Sequence, residues 1–304
     1  MRQSDIYNMI EENVMNQLKN GIIPWRRCYH VNNKERLCYS HTTGKPYSVL
    51  NQILLEQPGA YWTFNQVKSA GLSLRKGCHA SKVVFWKVSS FADKKVDKSG
   101  EVVDTIKCVP LLKWYNVFHE RDVIGLPQAL PDTNMDPVER ERRNAEVVEK
   151  ADEIVRNYLS ANKDISLVTS DRTPCFAPSM NTIFMPEKSQ FDSILDYYDT
   201  AFHEIIHSTR KALGRDKTPD ASGRAREELV AEIGGAFLCG RAGIQCEDLI
   251  KNNAAYCASW MQALGGNIRH LVWASVRAET AAKFVLNELE SEQASDEDEE
   301  AASA

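Results

Sequence analysis

The pentapeptide His203-Glu204-Ile205-Ile206-His207 constrains the fold of this chain more than any other feature. Residues i and i+4 of an α-helix lie on the same face, one turn apart, so both imidazoles can reach one metal ion only if the segment is helical. Glu204 lies between them, close enough to accept a proton from a water on that ion. Two histidine ligands and a general base on one turn are typical of zinc-dependent peptidases.

The surrounding sequence favours this interpretation. Neither Gly nor Pro occurs between Tyr197 and Leu213, and the spacing of Phe202, Ile205, Ile206 and Leu213 is that of the buried side of an amphipathic helix. The alternative is an ordinary helix with two surface histidines beside a glutamate. A motif match of this kind stays a hypothesis until its structural context is known.

A catalytic zinc needs a third protein ligand and an open position for water. Residues 226–238 contain an apolar helical stripe with glutamates beside it. Because a carboxylate on a mostly apolar helix is costly to bury unless it is paired or bound to a cation, we predict Glu228 as the third ligand. Glu232, one turn on, would then orient a ligating histidine. The two roles could be exchanged, Glu227 is a weaker candidate, and solvent-exposed glutamates are the alternative.

Zinc is the expected cofactor, although another divalent metal is possible. Zn²⁺ lowers the pKa of its water toward about 7 and polarises the scissile carbonyl, and Glu204 would accept the water proton and pass it to the leaving amine. His270 and Tyr198 are possible helpers, with packing or surface roles as the alternative. Residues 181–186 predict a short strand, which could be an edge strand that aligns an extended peptide or an ordinary sheet strand.

Composition indicates a globular protein with more than one domain. The chain has 304 residues, of which 43% are hydrophobic, and it contains no apolar run long enough to span a bilayer. The polar start, Met1 to Asp5, lacks the core of a signal peptide, so we expect a cytoplasmic protein with no membrane partner. The eight scattered cysteines form no CxxC pair, and we expect free thiols.

The pattern of apolar residues and breakers predicts an α+β fold in two domains. We predict an N-terminal α+β nucleic-acid-binding module at 1–127, a linker at 128–140, a C-terminal zincin-like metallopeptidase domain at 141–289 and an acidic disordered tail at 290–304. The net charge of −5 hides an asymmetry, because residues 1–125 hold 18 Lys and Arg against 11 Asp and Glu. A basic first half is the electrostatic signature of a nucleic-acid partner.

Basic residues alternate with aromatic residues along this first half. A cationic groove with exposed rings suits single-stranded nucleic acid, because phosphates meet the charges and bases stack on the rings. The alternative is that the rings are core residues and the lysines simply face water. The candidate DNA contacts are Trp25, Arg26, Trp62, Arg75, Lys76, Lys82 and Trp86.

Several segments, taken in order, resemble a known family. Segments of the first half are similar to the N-terminal domain of ArdC-type antirestriction proteins, a domain that is shared with TraC-type primases. These segments are residues 47–55, 62–67, 74–77 with 83–86, and 115–118 through 125–127. In the second half, residues 184–186, 198–200, 203–207 and 227–232 are similar to the family's metallopeptidase domain. The resemblance covers nearly all of the chain except the acidic tail.

The resemblance implies a single-stranded-DNA-binding domain joined to a gluzincin-like or SprT-like zinc peptidase domain, carried on mobile elements and protecting incoming DNA from restriction. By resemblance, His203, His207 and Glu228 are the ligands and Glu204 is the base. Two positions depart from the family's pattern. Residues 76–79 replace a more charged turn, and residues 175–177 replace a segment that tends to contain tyrosine, which bears on substrate positioning.

Two classes of function follow from the sequence. The first is a DNA-associated metallopeptidase that cleaves an unidentified protein near incoming DNA. The rival is a protein that binds and shields single-stranded DNA, with a structural metal and little proteolysis, and a primase accessory factor is a third possibility. The intact Glu204 favours the enzyme, because a purely structural metal site needs no general base.

Overall fold

The computed structural model describes residues 3–27, 37–96, 102–126, 137–215, 221–244, 259–260, 262 and 267–289. The predicted acidic tail and residues 128–136 of the predicted linker lie outside these ranges. Within the described residues, no helix combines the length and the apolar character that crossing a bilayer requires.

The first half of the chain mixes short helices with two small sheets, as predicted. Its described helices are α1 (Gln3–Lys19), α2 (Pro24–Arg27), α3 (Val49–Leu54) and α4 (Phe64–Ser69). Its described strands are β1 (Cys38–Ser40), β2 (Gly59–Trp62), β3 (Ser73–Leu74), β4 (Ser81–Val96), β5 (Val102–His119) and β6 (Val123–Ile124). One sheet has the order β1-β2-β5-β4, in which only β1 and β2 are parallel, and β3 pairs with β6 in a second, antiparallel sheet.

Amide side chains attach the long antiparallel pair β4–β5 to the helices. Asn51 on α3 donates to the Val84 carbonyl at 2.8 Å and accepts from the Val84 amide at 2.7 Å. Gln3 on α1 bonds both backbone groups of Leu112 in the same way. Each amide therefore satisfies two backbone groups that the β4–β5 ladder leaves unpaired.

The second half begins with a long helix and contains the HEIIH segment in helical form. Its described elements are α5 (Pro137–Ala161), β7 (Ser166–Thr169), β8 (Cys175–Ala177), β9 (Thr182–Met185), α6 (Ile194–Ser208), α7 (Ala221–Ala242) and α8 (Arg269–Val285). Helix α5 starts inside the range predicted as linker, with Pro137 at its first position, where the missing N–H costs nothing. Helix α7 packs against both α6 and α8.

The strand predicted at residues 181–186 is present as β9, but it is not an edge strand. It lies in the centre of a three-stranded sheet, parallel to β7 and antiparallel to β8. All four of its residues are buried. Of the two open interpretations, the ordinary sheet strand is correct, and β7 and β8 hold the edges.

A single cluster of buried hydrophobic residues joins the two halves. Ile10 of α1, Trp25 of α2 and Ile53 of α3 belong to the same cluster as Phe202 of α6 and Leu271 of α8. The halves also share hydrogen bonds, since the amide of Val49 on α3 donates to Glu279 of α8 at 3.0 Å. The sequence predicted two domains, and this cluster contains residues of both.

The shared core predicts that the two halves unfold together. Trp25 is fully buried, and its ring is nearly perpendicular to that of Trp260, with a centroid distance of 5.2 Å. We expect Trp25→Ala to lower the free energy of unfolding by about 3–5 kcal/mol, because it leaves a large cavity. Scanning calorimetry should show one transition that moves as a whole to lower temperature. Two transitions, of which only the first half's moves, would contradict a shared core.

Candidate metal centre

Helix α6 places His203 and His207 side by side. Its apolar face, which includes Phe202, Ile205 and Ile206, is fully buried, and this packing fixes the rotation of the helix about its axis. The Nε2 atoms of the two histidines are 3.1 Å apart. Two imidazole nitrogens therefore converge on one point, as the spacing predicted.

Glu228 of α7 completes a three-donor cluster. Its Oε2 atom lies 3.4 Å from Nε2 of His203 and 3.5 Å from Nε2 of His207. Ligands about 2.0–2.2 Å from a tetrahedral zinc stand roughly 3.3–3.5 Å from one another, so the three donors fit such an ion. Among the described residues this is the one group of three His, Cys, Asp or Glu side chains with the spacing of a metal site.

The charges around the cluster favour a bound cation. Hydrogen bonds from His203 and His207 lower the pKa of Glu228 well below its ordinary value, against the opposing effect of burial. Burial lowers the pKa of His207, but hydrogen bonds to Glu227 and Glu228 outweigh burial and raise it to about 9. Nearby carboxylates thus hold a positive charge at the point where a metal would sit.

Glu227 stands behind His207, and Arg215 holds it there. Oε1 of Glu227 is 3.5 Å from Nδ1 of His207, which is an ion-pair distance but longer than a well-formed hydrogen bond. The buried guanidinium of Arg215 donates to both oxygens of Glu227, at 3.0 and 3.2 Å, and also to the Ile206 carbonyl at 2.9 Å. Glu227, predicted as a weaker ligand candidate, instead occupies the orienting position behind a histidine.

Glu232, predicted to orient a histidine, lies against an arginine of the first half. Nη2 of Arg26 is 3.4 Å from Oε2 of Glu232, and Nη1 is 3.3 Å from Oδ2 of Asp199. Burial raises the pKa of Glu232, and Arg26 opposes this shift. The predicted exchange between Glu228 and Glu232 is not what the structure shows, because it is Glu228 that lies with the histidines.

Glu204 is buried, and the backbone of an edge strand orients it. Its Oε2 atom accepts a hydrogen bond of 2.7 Å from the amide of Phe176 on β8. Glu204 follows His203 directly on α6, and its charge contributes to the raised pKa of His207. The carboxylate is therefore held by a backbone donor rather than by a mobile side chain.

Two consecutive glycines, Gly234 and Gly235, allow α7 to approach α6 closely, and neither was predicted to have a role at the site. A methyl group at Gly235 would stand 3.2 Å from the backbone nitrogen of His203, and one at Gly234 would stand 2.9 Å from Cδ1 of Ile206. Consecutive glycines within a predicted amphipathic helix were the available signal, since glycine in a helix interior costs about 1 kcal/mol relative to alanine and needs a packing reason.

The two suggested helper residues have other partners. The hydroxyl of Tyr198 is fully buried and accepts a hydrogen bond of 2.8 Å from Nζ of Lys188. Nε2 of His270 lies 3.0 Å from the side-chain nitrogen Nδ2 of Asn267, which precedes α8. Tyr198 therefore has a packing role, and neither residue belongs to the cluster of three donors.

Three of the seven predicted DNA contacts are not available at the surface. Trp25 is fully buried, and Arg26 is engaged with the two carboxylates described above. Trp62 is buried and stacks on His41 with a ring separation of 3.2 Å. A ring inside the core offers no face to a base, so the structure does not support these three predictions.

The other four predicted contacts lie at or near the surface of the first half. Arg75, Lys76 and Trp86 are exposed, and Lys82 is half-buried with Nζ 5.5 Å from the centre of the Trp114 ring. Their relation to DNA stays a prediction.

Two exposed aromatic residues of the β4–β5 pair were missed. Phe85 and Tyr115 are 40% and 38% exposed, with ring centroids 5.5 Å apart. Phe85 pairs with Lys113 in the ladder, and Lys87 lies two residues along β4. Because side chains alternate between the faces of a strand, these four residues share one face, and Trp86 lies on the opposite face. The register of the pair, which is a long-range property, was needed to find this group.

Two family models match the chain, one in each half. Residues 4–118 match the N-terminal domain of the anti-restriction factor ArdC, and residues 150–277 match a zincin-like metallopeptidase. A DNA primase TraC of Escherichia coli is 30% identical over 299 residues, which is 92% of this chain but 27% of the primase. The chain thus spans about a quarter of that relative's length.

Solved structures match the whole described architecture. The metal-free crystal structure of the antirestriction ArdC protein from plasmid R388 superposes with a TM-score of 0.64 at 26% identity, covering 93% of this chain and 97% of that one. The Mn(II)-bound structure of the same protein gives the same TM-score at 24% identity. Residues 4–118 therefore match the family of ArdC N-terminal domains and residues 150–277 match the zincin-like metallopeptidases, and the chain as a whole is similar in structure to ArdC.

Proposed function

We propose that this ArdC-like antirestriction protein is a metal-dependent peptidase that binds single-stranded DNA and cleaves a protein near incoming DNA of a mobile element. The observation that carries the proposal is the convergence of His203, His207 and Glu228 beside Glu204, whose carboxylate is fixed by a backbone amide. A site that only stabilised the fold would need the three ligands but not an oriented carboxylate beside them.

His203, His207 and Glu228 are the residues that would hold the metal, through two imidazole nitrogens and one carboxylate oxygen. Zn²⁺ suits this donor set, as does another divalent ion, and when bound it supplies a Lewis acid and a water acidified toward a pKa of about 7. Glu227, backed by Arg215, keeps the His207 ring turned so that Nε2 faces the cluster.

Glu204 is the general base in this proposal. Its Oε2 atom stays on the amide of Phe176, and we assign Oε1 to accept the proton of the attacking water and to return it to the leaving amine. The short strand β8 lies at a sheet edge next to this carboxylate, so an extended substrate would add to the sheet there. The sequence suggested that residues 181–186 could align an extended peptide at a sheet edge. We assign this role to residues 175–177 instead.

Single-stranded DNA is assigned to the face of the β4–β5 pair that carries Phe85 and Tyr115. The two exposed rings offer stacking surfaces, and Lys87 and Lys113 on the same face offer charges for the phosphates. The excess of basic residues over the first 125 residues adds a long-range attraction. The exposed Arg75 and Lys76 would extend the contact to the β3 turn.

Glu204→Gln tests the role of the general base. This change keeps the three donors but removes the group that moves the proton, so we expect cleavage to fall by at least about 100-fold while metal content is unchanged. New peptide N-termini, counted by mass spectrometry after the metal-loaded protein is incubated with a recipient-cell extract, measure the effect. Glu153→Gln, which changes an exposed glutamate of α5, is the matched control and should behave as wild type.

The same variant separates the enzyme from the rival function. If proteolysis is the function, Glu204→Gln also loses the protection of incoming DNA in a restricting recipient. Full protection by Glu204→Gln would instead support a protein that shields single-stranded DNA, or a primase accessory factor, with a structural metal.

Substitutions of Phe85, Tyr115 and Lys113 test the proposed DNA-binding face. Phe85→Ala and Tyr115→Ala should each weaken binding to a single-stranded oligonucleotide by about 5- to 150-fold, because stacking contributes roughly 1–3 kcal/mol per base. Lys113→Ala should reduce the slope of log affinity against log salt by about 0.7. Fluorescence anisotropy across a salt series, with the duplex as comparison, measures both effects.

Trp86→Ala is the control for this experiment, since Trp86 is an exposed aromatic residue on the opposite face of the same strand. Loss of affinity in Trp86→Ala with no loss in Phe85→Ala would move the binding site to the other face. Equal binding of duplex and single strand would argue against stacking altogether.

A further inference from the structure

Arg26 belongs to the first half of the chain, but its guanidinium contacts two side chains of the second half. Arg26 is the third residue of helix α2, and the side chain of Arg26 is 12% exposed. The guanidinium lies 3.3 Å from Asp199 of α6 and 3.4 Å from Glu232 of α7. One cation from a distant part of the sequence therefore links the two helices that supply the metal-site donors.

The two carboxylates occupy specific positions relative to the donors. Asp199 precedes His203 by four residues on α6, and Glu232 follows Glu228 by four residues on α7. Residues four apart lie one turn from each other on the same helical face. The link through Arg26 thus lies one turn away from the cluster, on the faces that α6 and α7 turn toward each other.

Electrostatics makes this arrangement depend on Arg26. Without the guanidinium, the side chains of Asp199 and Glu232 would lose the donor that they share, and they could stay in this poorly solvated place only by taking up a proton or by drawing in water. A guanidinium suits the task because its planar fork can bond two carboxylates with separate N–H groups. The guanidinium therefore links the two helices as well as neutralising the charge.

We propose that Arg26 is a positioning residue for the metal centre, so that the zincin-like half reaches its full metal affinity only when the first half is docked on it. The inference rests on the metal site proposed above, but not on proteolysis or DNA binding. It replaces the DNA-contact role that the sequence suggested for Arg26.

The test is the affinity of the full-length protein for Co²⁺, measured by competition with a chelator, together with the visible spectrum of the bound ion. We expect Arg26→Met to weaken binding by about tenfold to a hundredfold, as the loss of groups that support metal ligands does, and to change the Co²⁺ absorption bands. Arg26→Lys should recover part of the affinity, because it restores the charge but not the fork.

Arg241→Met is the matched control. Arg241 lies on the same helix α7 and forms an ion pair with Glu288, but it is 13 residues beyond Glu228. Its loss should leave the Co²⁺ affinity and spectrum unchanged. A merely structural role of Arg26 would lower the melting temperature of the metal-free protein without altering the spectrum, and that result would overturn the inference.

A milder variant keeps the test decisive if Arg26→Met does not fold, as judged by circular dichroism. Glu232→Gln removes one carboxylate partner and leaves Arg26 paired with Asp199, and we expect it to weaken Co²⁺ binding and to shift the absorption bands. Wild-type affinity and spectrum in this variant would refute the positioning role. Failure of the wild-type protein itself to bind Co²⁺, with Glu228→Ala no different, would instead refute the metal site of the proposed function.

Discussion

Helix α7 lies against the backbone of α6 at Gly235, and this contact sets the distance between Glu228 and the two histidines. Even one methyl group would fit only tightly there, since it would stand 3.2 Å from the amide nitrogen of His203. Glu228 lies on the same helix as Gly235, so the contact that holds the backbone of α7 in place also positions Glu228. A helix pair separated by ordinary side chains, at about 8–10 Å between axes, would hold the carboxylate farther from the imidazoles.

The site also shows how buried carboxylates are tolerated. Glu227 and Glu232 both lie in poorly solvated positions, and each has an arginine partner from another segment of the chain. Arg215 comes from the turn after α6, and Arg26 comes from the first half. Removing one member of such a pair leaves a buried charge unpaired, which is more costly than never having formed the pair. The metal centre is therefore surrounded by two ion pairs that help to fix the helices in position.

Local periodicity was sufficient to predict the HEIIH helix and its two histidines, because two residues that are four positions apart on a helix are neighbours in sequence as well as in space. The choice among Glu227, Glu228 and Glu232 depended on how α7 is rotated against α6. That rotation is set by Gly234, Gly235 and the surrounding core, so the sequence could only rank the three glutamates. Trp25 and Arg26 were assigned to DNA because composition cannot show that an arginine will meet a carboxylate 173 residues away. For the same reason the sequence left open whether residues 181–186 form an edge strand or an ordinary sheet strand, since strand partners are long-range contacts.

The continuous core has a consequence for how such a chain can be rearranged during evolution. A fusion that transplanted only the zincin-like half would expose the apolar surface on which α1, α2 and α3 rest, and it would leave Asp199 and Glu232 without their cation. Selection would then favour copying both halves together into a longer gene. The similarity to the TraC primase spans 92% of this chain, both halves included, and 27% of the primase, as expected for a pair inherited as one unit.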